Sequence, residues 1–107
     1  MAEYLFAYLG GEPPASPEEG KAQMQRWHVW MEGLGEAMVN PGTPLGKSSF
    51  VSAAGVAEAD GRTALSGFSI VAAESLDQAL EFARQCPFAE IGTIEVAEMM
   101  QMPGGGG

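Results

Sequence analysis

His28 is the only histidine of the chain, and it lies in the run Arg26-Trp27-His28-Val29-Trp30. An imidazole is the one side chain whose ordinary pKa lets it gain and lose a proton near neutrality. Acid–base chemistry here would therefore have to pass through His28. Glu32 follows four residues later, where a helix would bring its carboxylate beside the imidazole. The competing reading is structural: a half-covered histidine on a helix rim, bonded to Glu32 or to a carbonyl. Cys86 is the only cysteine, so neither an intrachain disulfide nor a zinc-ligand cluster can form. Cys86 falls at the end of an expected helix, where the partial negative charge disfavours a thiolate, so it reads as a small apolar residue.

A second group of candidates is aromatic. Tyr4, Phe6, Tyr8, Trp27 and Phe68, with Ile70 beside Phe68, could line a ligand pocket between a sheet and its helices. Any core would use the same side chains, and the core reading carries more weight. Gly42-Thr43-Pro44-Leu45-Gly46-Lys47 looks superficially like a phosphate loop. It lacks the required spacing, the preceding strand and the following helix. Asp60-Gly61-Arg62 is a turn signal before it is a charge pair. Met99, Met100 and Met102 could grip a partner but suit strand-end packing better. No motif requires a metal or a cofactor.

The elements that must position these residues follow from periodicity and punctuation. Residues 2–9 alternate as a strand with both faces apolar: Tyr4, Phe6 and Tyr8 against Leu5, Ala7 and Leu9. Both faces should therefore be covered. Ser16-Pro17-Glu18-Glu19 starts a helix with a capping residue and a capping box, running to about Gly35. Met24, Trp27, Met31 and Leu34 make its apolar stripe, which places His28 on one rim and Trp30 on the other. Residues 39–47 read as a loop. Ser49–Ala53 and Ser66–Ala73 read as strands, paired as a hairpin across a long connection. Ser75-Leu76-Asp77-Gln78 opens a second helix, with Leu76, Ala79, Leu80 and Ala83 on one face, and Pro87 ends it. Residues 93–97 form the last strand, and a flexible tail of four glycines follows.

The order β-α-β-β-α-β suits a ferredoxin-like α+β fold in one domain over residues 1–100, with a tail at 101–107. Two helices cover one face of an antiparallel sheet. The other face is apolar as well, and a second copy packed sheet to sheet is the simplest cover. The chain has 107 residues, 46% apolar and 18% charged, which fits a globular domain rather than a disordered one. Fourteen acids against five bases give a net charge of −9. Lys21, Arg26, Lys47, Arg62 and Arg84 are scattered, so nucleic acid and anionic membranes are not expected partners. With no basic leader and no apolar run of spanning length, the expected location is cytoplasmic.

The chain resembles the YCII-related domain family, in its DGPF-like branch. The resemblance rests on Trp27 and Trp30; Gly33-Leu34-Gly35-Glu36-Ala37 with Asn40-Pro41-Gly42-Thr43-Pro44-Leu45; Gly67-Phe68-Ser69-Ile70-Val71; Glu74-Ser75-Leu76-Asp77-Gln78-Ala79; Cys86-Pro87-Phe88; and Ile94-Glu95-Val96. It implies a dimeric α+β barrel. In one branch of the family a histidine on the first helix and an aspartate before the proline after the second helix form a proposed acid–base pair. Those positions fall here on Met24 and Cys86, so the resemblance does not carry that pair over. Three functions remain: a small isomerase- or lyase-like enzyme using His28, a non-catalytic module for a small organic ligand, or a homodimer whose surface is the function.

Overall fold

A computed structural model describes residues 1–60 and 63–100. Gly61, Arg62 and residues 101–107 lie outside the described residues. The expected Asp60-Gly61-Arg62 turn, Met102 and the glycine tail therefore fall wholly or largely outside them.

β1 spans Ala2–Leu9 and sits inside the main sheet. Helix α1 spans Pro17–Leu34. Ser16 Oγ accepts the Glu19 N–H at 3.1 Å, and the Glu19 carboxylate accepts the Ala15 N–H at 3.3 Å, so the capping residues work in both directions. Gly35 stops the helix with a φ of 56°, a conformation that costs a residue with a Cβ. A single 3₁₀ turn over Gly35–Ala37 leads into β2, Met38–Asn40. β3 (Ser49–Ser52) and β4 (Gly55–Glu58) follow, then β5 (Leu65–Ala73). Helix α2 spans Leu76–Gln85, capped by Ser75 Oγ accepting from Gln78 N–H at 3.1 Å. A 3₁₀ turn over Pro87–Glu90 precedes β6, Thr93–Glu98.

The main sheet has the order β2-β5-β1-β6, with every pairing antiparallel. β1, α1, β2, β5, α2 and β6 together make the ferredoxin-like α+β fold. Two expectations need correction. Ser49–Ser52 does not pair with β5. The two-residue turn Ala53-Ala54, with Gly55 at a φ of 130°, folds it back on β4 as a separate two-stranded sheet. The place beside β5 goes to β2, a three-residue strand inside the stretch expected to be a loop.

Register sorts the side chains by face. Phe6 opposes Ser69 and Val96, Tyr4 opposes Val71, and Tyr8 opposes Gly67 and Ile94. This face meets Trp30 of α1 and Ala79 and Ala83 of α2 to form the core. The opposite face carries Leu5 against Ile70 and Ala7 against Phe68. The core-facing side of α1 is also corrected. Met24 is 58% exposed, whereas Trp30 is 7% exposed and is the buried residue of the helix. The stripe is Trp27, Trp30, Met31 and Leu34, rotated from the expected one. Trp30 wins its place because its indole N–H reaches the Phe82 carbonyl of α2 at 3.0 Å, a bond no methionine can make. On α2, Leu76 and Leu80 are exposed, and Phe82, with Cys86 just past the helix end, joins Ala79 and Ala83 on the inward side. An ion pair of 2.6 Å between Arg26 and Glu90 braces α1 further.

Candidate functional site

The rings on the helix-covered face touch in sequence. Phe6 and Trp30 stack at 6.4 Å, Trp30 and Trp27 lie 5.3 Å apart, Trp27 meets Tyr8 edge-on at 5.2 Å, and Tyr8 meets Phe88 at 5.2 Å. Phe6 and Trp30 form the buried end of this chain of rings. Tyr8, Trp27 and Phe88 reach the wall of a cavity of about 420 Å³. The α1 side of that cavity adds Met24, His28 and Met31. Its other side is the loop Pro41-Gly42-Thr43-Pro44 with Ser66, Gly67 and Phe68 of β5.

The sequence candidates separate accordingly. Tyr8, Trp27, His28 and Phe68 border the cavity. Tyr4 and Phe6 do not; at 4% and 0% exposure they are core side chains. Phe68 alternates to the opposite face from Tyr8, opposing Ala7, yet it borders the cavity where β5 meets the loop. Ile70 opposes Leu5 on the helix-free face and takes no part. His28 is exposed overall and stands at the cavity's edge. No hydrogen bond or ion pair links it to Glu32.

Residues 41–44 lie in the stretch expected to be a loop, but their place in the cavity wall was not expected. One contact tightens the loop's turn and two pin it to β5. The Asn40 side-chain oxygen accepts the Gly42 N–H at 2.8 Å, Pro44 bridges Gly67, and Leu45 N–H reaches the Ser66 carbonyl at 2.9 Å. Gly42 has a φ of 73°, and a Cβ there would sit 1.7 Å from the Phe68 carbonyl oxygen. The only available signal was the breaker string Pro41-Gly42-Thr43-Pro44, which marks a tight loop without saying what it touches.

Behind the cavity lies a buried polar chain. The Tyr8 hydroxyl donates to Ser69 Oγ at 2.8 Å, and Ser69 donates to the Pro41 carbonyl at 2.9 Å. Burial raises the tyrosine pKa well above its ordinary range. Burial likewise pushes the Cys86 thiol up to about 12, against a weaker opposing effect of the Phe88 N–H. Both groups therefore stay protonated and neutral near pH 7. Cys86 is no nucleophile, because the thiolate is the reactive form.

Tyr8 and His28 are the titratable side chains among the described residues of the wall, which holds no carboxylate, lysine or arginine. The described residues bring together no group of three or more His, Cys, Asp or Glu suited to a metal. No helix among them is long and apolar enough to cross a membrane.

A family model described as the YCII-related domain matches residues 6–103. The chain belongs to the YCII-related domain family. Among solved structures, this YCII-related domain is similar to 5-chloro-2-hydroxyhydroquinone dehydrochlorinase from Burkholderia phenoliruptrix AC1100, in complex with 2,5-dihydroxybenzoquinone. The TM-score is 0.59 at 18% identity, over 94% of this chain and 95% of that one. At that identity the likeness establishes a shared fold. No curated protein sequence matches the YCII-related chain.

Proposed function

We propose that this YCII-related domain binds a compact cyclic organic molecule in the cavity between α1 and the loop 41–44. The observation that carries the reading is the wall itself: a volume of about 420 Å³ with the aromatic rings of Tyr8, Trp27, Phe68 and Phe88 and one imidazole at its edge. Stacked or edge-on rings favour a flat ligand. An apolar enclosure with a few polar groups is the ordinary form of a small-molecule site. His28 is placed to meet an acidic hydroxyl on such a ligand.

Binding is favoured over acid–base catalysis by the same wall. A proton-shuttling histidine is usually oriented by a second group. Met24 borders the cavity where the histidine of the family's acid–base pair would fall, and Cys86, in the aspartate's place, is a buried neutral thiol.

The structurally similar dehydrochlorinase is described with 2,5-dihydroxybenzoquinone bound, which makes that compound the first probe to use. Titrating it into ¹⁵N-labelled protein is expected to give saturable amide shifts in residues 24–31, 41–44 and 66–68. Trp27→Ala is expected to weaken binding about tenfold, from lost ring contact. His28→Ala is expected to weaken the ionised probe more than neutral hydroquinone. No saturable shifts, or shifts centred on the groove between α1 and α2, would overturn the reading.

The reading includes a homodimer formed through the helix-free face. Leu5, Ile70, Phe68 and Ala72 are only half-buried there and Ala7 is already buried, a pattern that suits a second sheet. Light scattering is expected to return twice the chain mass, and Ile70→Lys is expected to return the single mass. A wild-type monomer that remains folded would remove the dimer.

A further inference from the structure

We propose that Ser69 is a positioning residue for the cavity, holding the loop wall at a fixed distance from the ring wall. The inference rests on the cavity being a binding site.

Ser69 is fully buried, and it is the buried polar side chain of the core among the described residues. On the same face of β5, its neighbours are Gly67, Val71 and Ala73, so an apolar residue would be the ordinary choice. A hydroxyl there is tolerated only if it is hydrogen-bonded. Ser69 has one proton to give and gives it to Pro41, while the tyrosine hydroxyl supplies the bond it accepts. The two partners are opposite walls: Tyr8 on β1 belongs to the ring wall, and Pro41 opens the loop wall. β5 runs between β1 and β2 in the sheet, so Ser69 stands midway between the elements that carry them.

The two bonds do different work. Trp27 and Phe88 already hold the Tyr8 ring from two sides, so that wall survives loss of the hydroxyl link. Pro41 lacks an N–H, and in the loop after β2 its carbonyl is fastened to the core through Ser69. Removing the Ser69 hydroxyl should free the loop end of the cavity, whereas removing the Tyr8 hydroxyl should leave the Ser69–Pro41 bond in place.

The test compares Ser69→Ala, Ser69→Cys and Tyr8→Phe by amide spectra of the free proteins and by titration with 2,5-dihydroxybenzoquinone, well below the unfolding temperature. Ser69→Ala is expected to shift the amides of residues 40–44 and to weaken the probe about tenfold, the size of one lost hydrogen bond. Tyr8→Phe is expected to leave the 40–44 amides in place and to weaken the probe by a smaller factor. Ser69→Cys keeps the side-chain shape with a weak donor and should fall between them, which preserves the comparison if Ser69→Ala does not fold. A core serine with only a structural role would lower the melting temperature without moving the loop amides or the dissociation constant, and that result overturns the inference. Equal effects of Tyr8→Phe and Ser69→Ala overturn it too. If the wild-type protein does not bind the probe, the binding site itself fails, while the loop amides of the free variants still decide the role of Ser69.

Discussion

Gly42→Ala is expected to be the most damaging single-methyl change in the cavity wall. The added Cβ would lie 1.7 Å from the Phe68 carbonyl oxygen and 2.7 Å from its carbon, both backbone atoms that no rotamer can move aside. The backbone at position 42 has a φ of 73°, which costs an alanine about 1 kcal/mol before any clash. The loop must lift from β5, breaking the Asn40–Gly42 turn and the Pro44–Gly67 bridge. Together these should lower stability by about 3 kcal/mol, a drop of roughly 15 °C in melting temperature for a domain this size. Binding of 2,5-dihydroxybenzoquinone should be lost as the wall opens. Calorimetry and titration on the purified variant check both parts. A melting temperature within about 2 °C of wild type would show that the loop does not lie against β5.

The second large effect is expected in the core. Trp30→Ala removes a ring that is 7% exposed, contacts Phe6 and Trp27, and donates its indole N–H to Phe82. Large aromatic truncations of this kind cost about 3–5 kcal/mol. The Phe82 carbonyl loses its donor as well, which adds to the cost if water cannot reach it. Met24→Ala, at a position 58% exposed, should change stability by about 0.5 kcal/mol or less. Urea unfolding of the two variants therefore ranks them. A larger loss for Met24→Ala would place the buried stripe of α1 on the Met24 side.

That pair of variants also marks where sequence stopped being informative. The ends of both helices were legible because capping is local chemistry: Ser16, Ser75 and Gly35 act within one turn of chain. β1, β5 and β6 were legible because alternation records burial directly. The face of α1 was not, because Met24 and Trp30 are both apolar and differ only in what lies opposite. The Trp30–Phe82 bond joins residues 52 apart in sequence, and no pattern in either helix announces it. β2 has three residues, too few for alternation to register. At the cavity, aromatic content pointed to Tyr8, Trp27 and Phe68, and rarity pointed to His28. The Tyr8–Ser69–Pro41 chain stayed hidden because its members come from three separate segments that meet only when β5 enters the sheet between β1 and β2.

The β3–β4 hairpin has a consequence of another kind. Its strands pair with each other, apart from the main sheet, and Phe50, Val51 and Val56 are 55%, 77% and 73% exposed. None of residues 49–58 belongs to the buried core or to the side chains packed against it. Substitutions in residues 49–58 should combine additively with those in the sheet, since distant sites share no partners. The hairpin is an appendage to the sheet that carries the core. No residue of 49–58 lines the cavity, so insertions or substitutions in this stretch should leave the cavity wall unchanged.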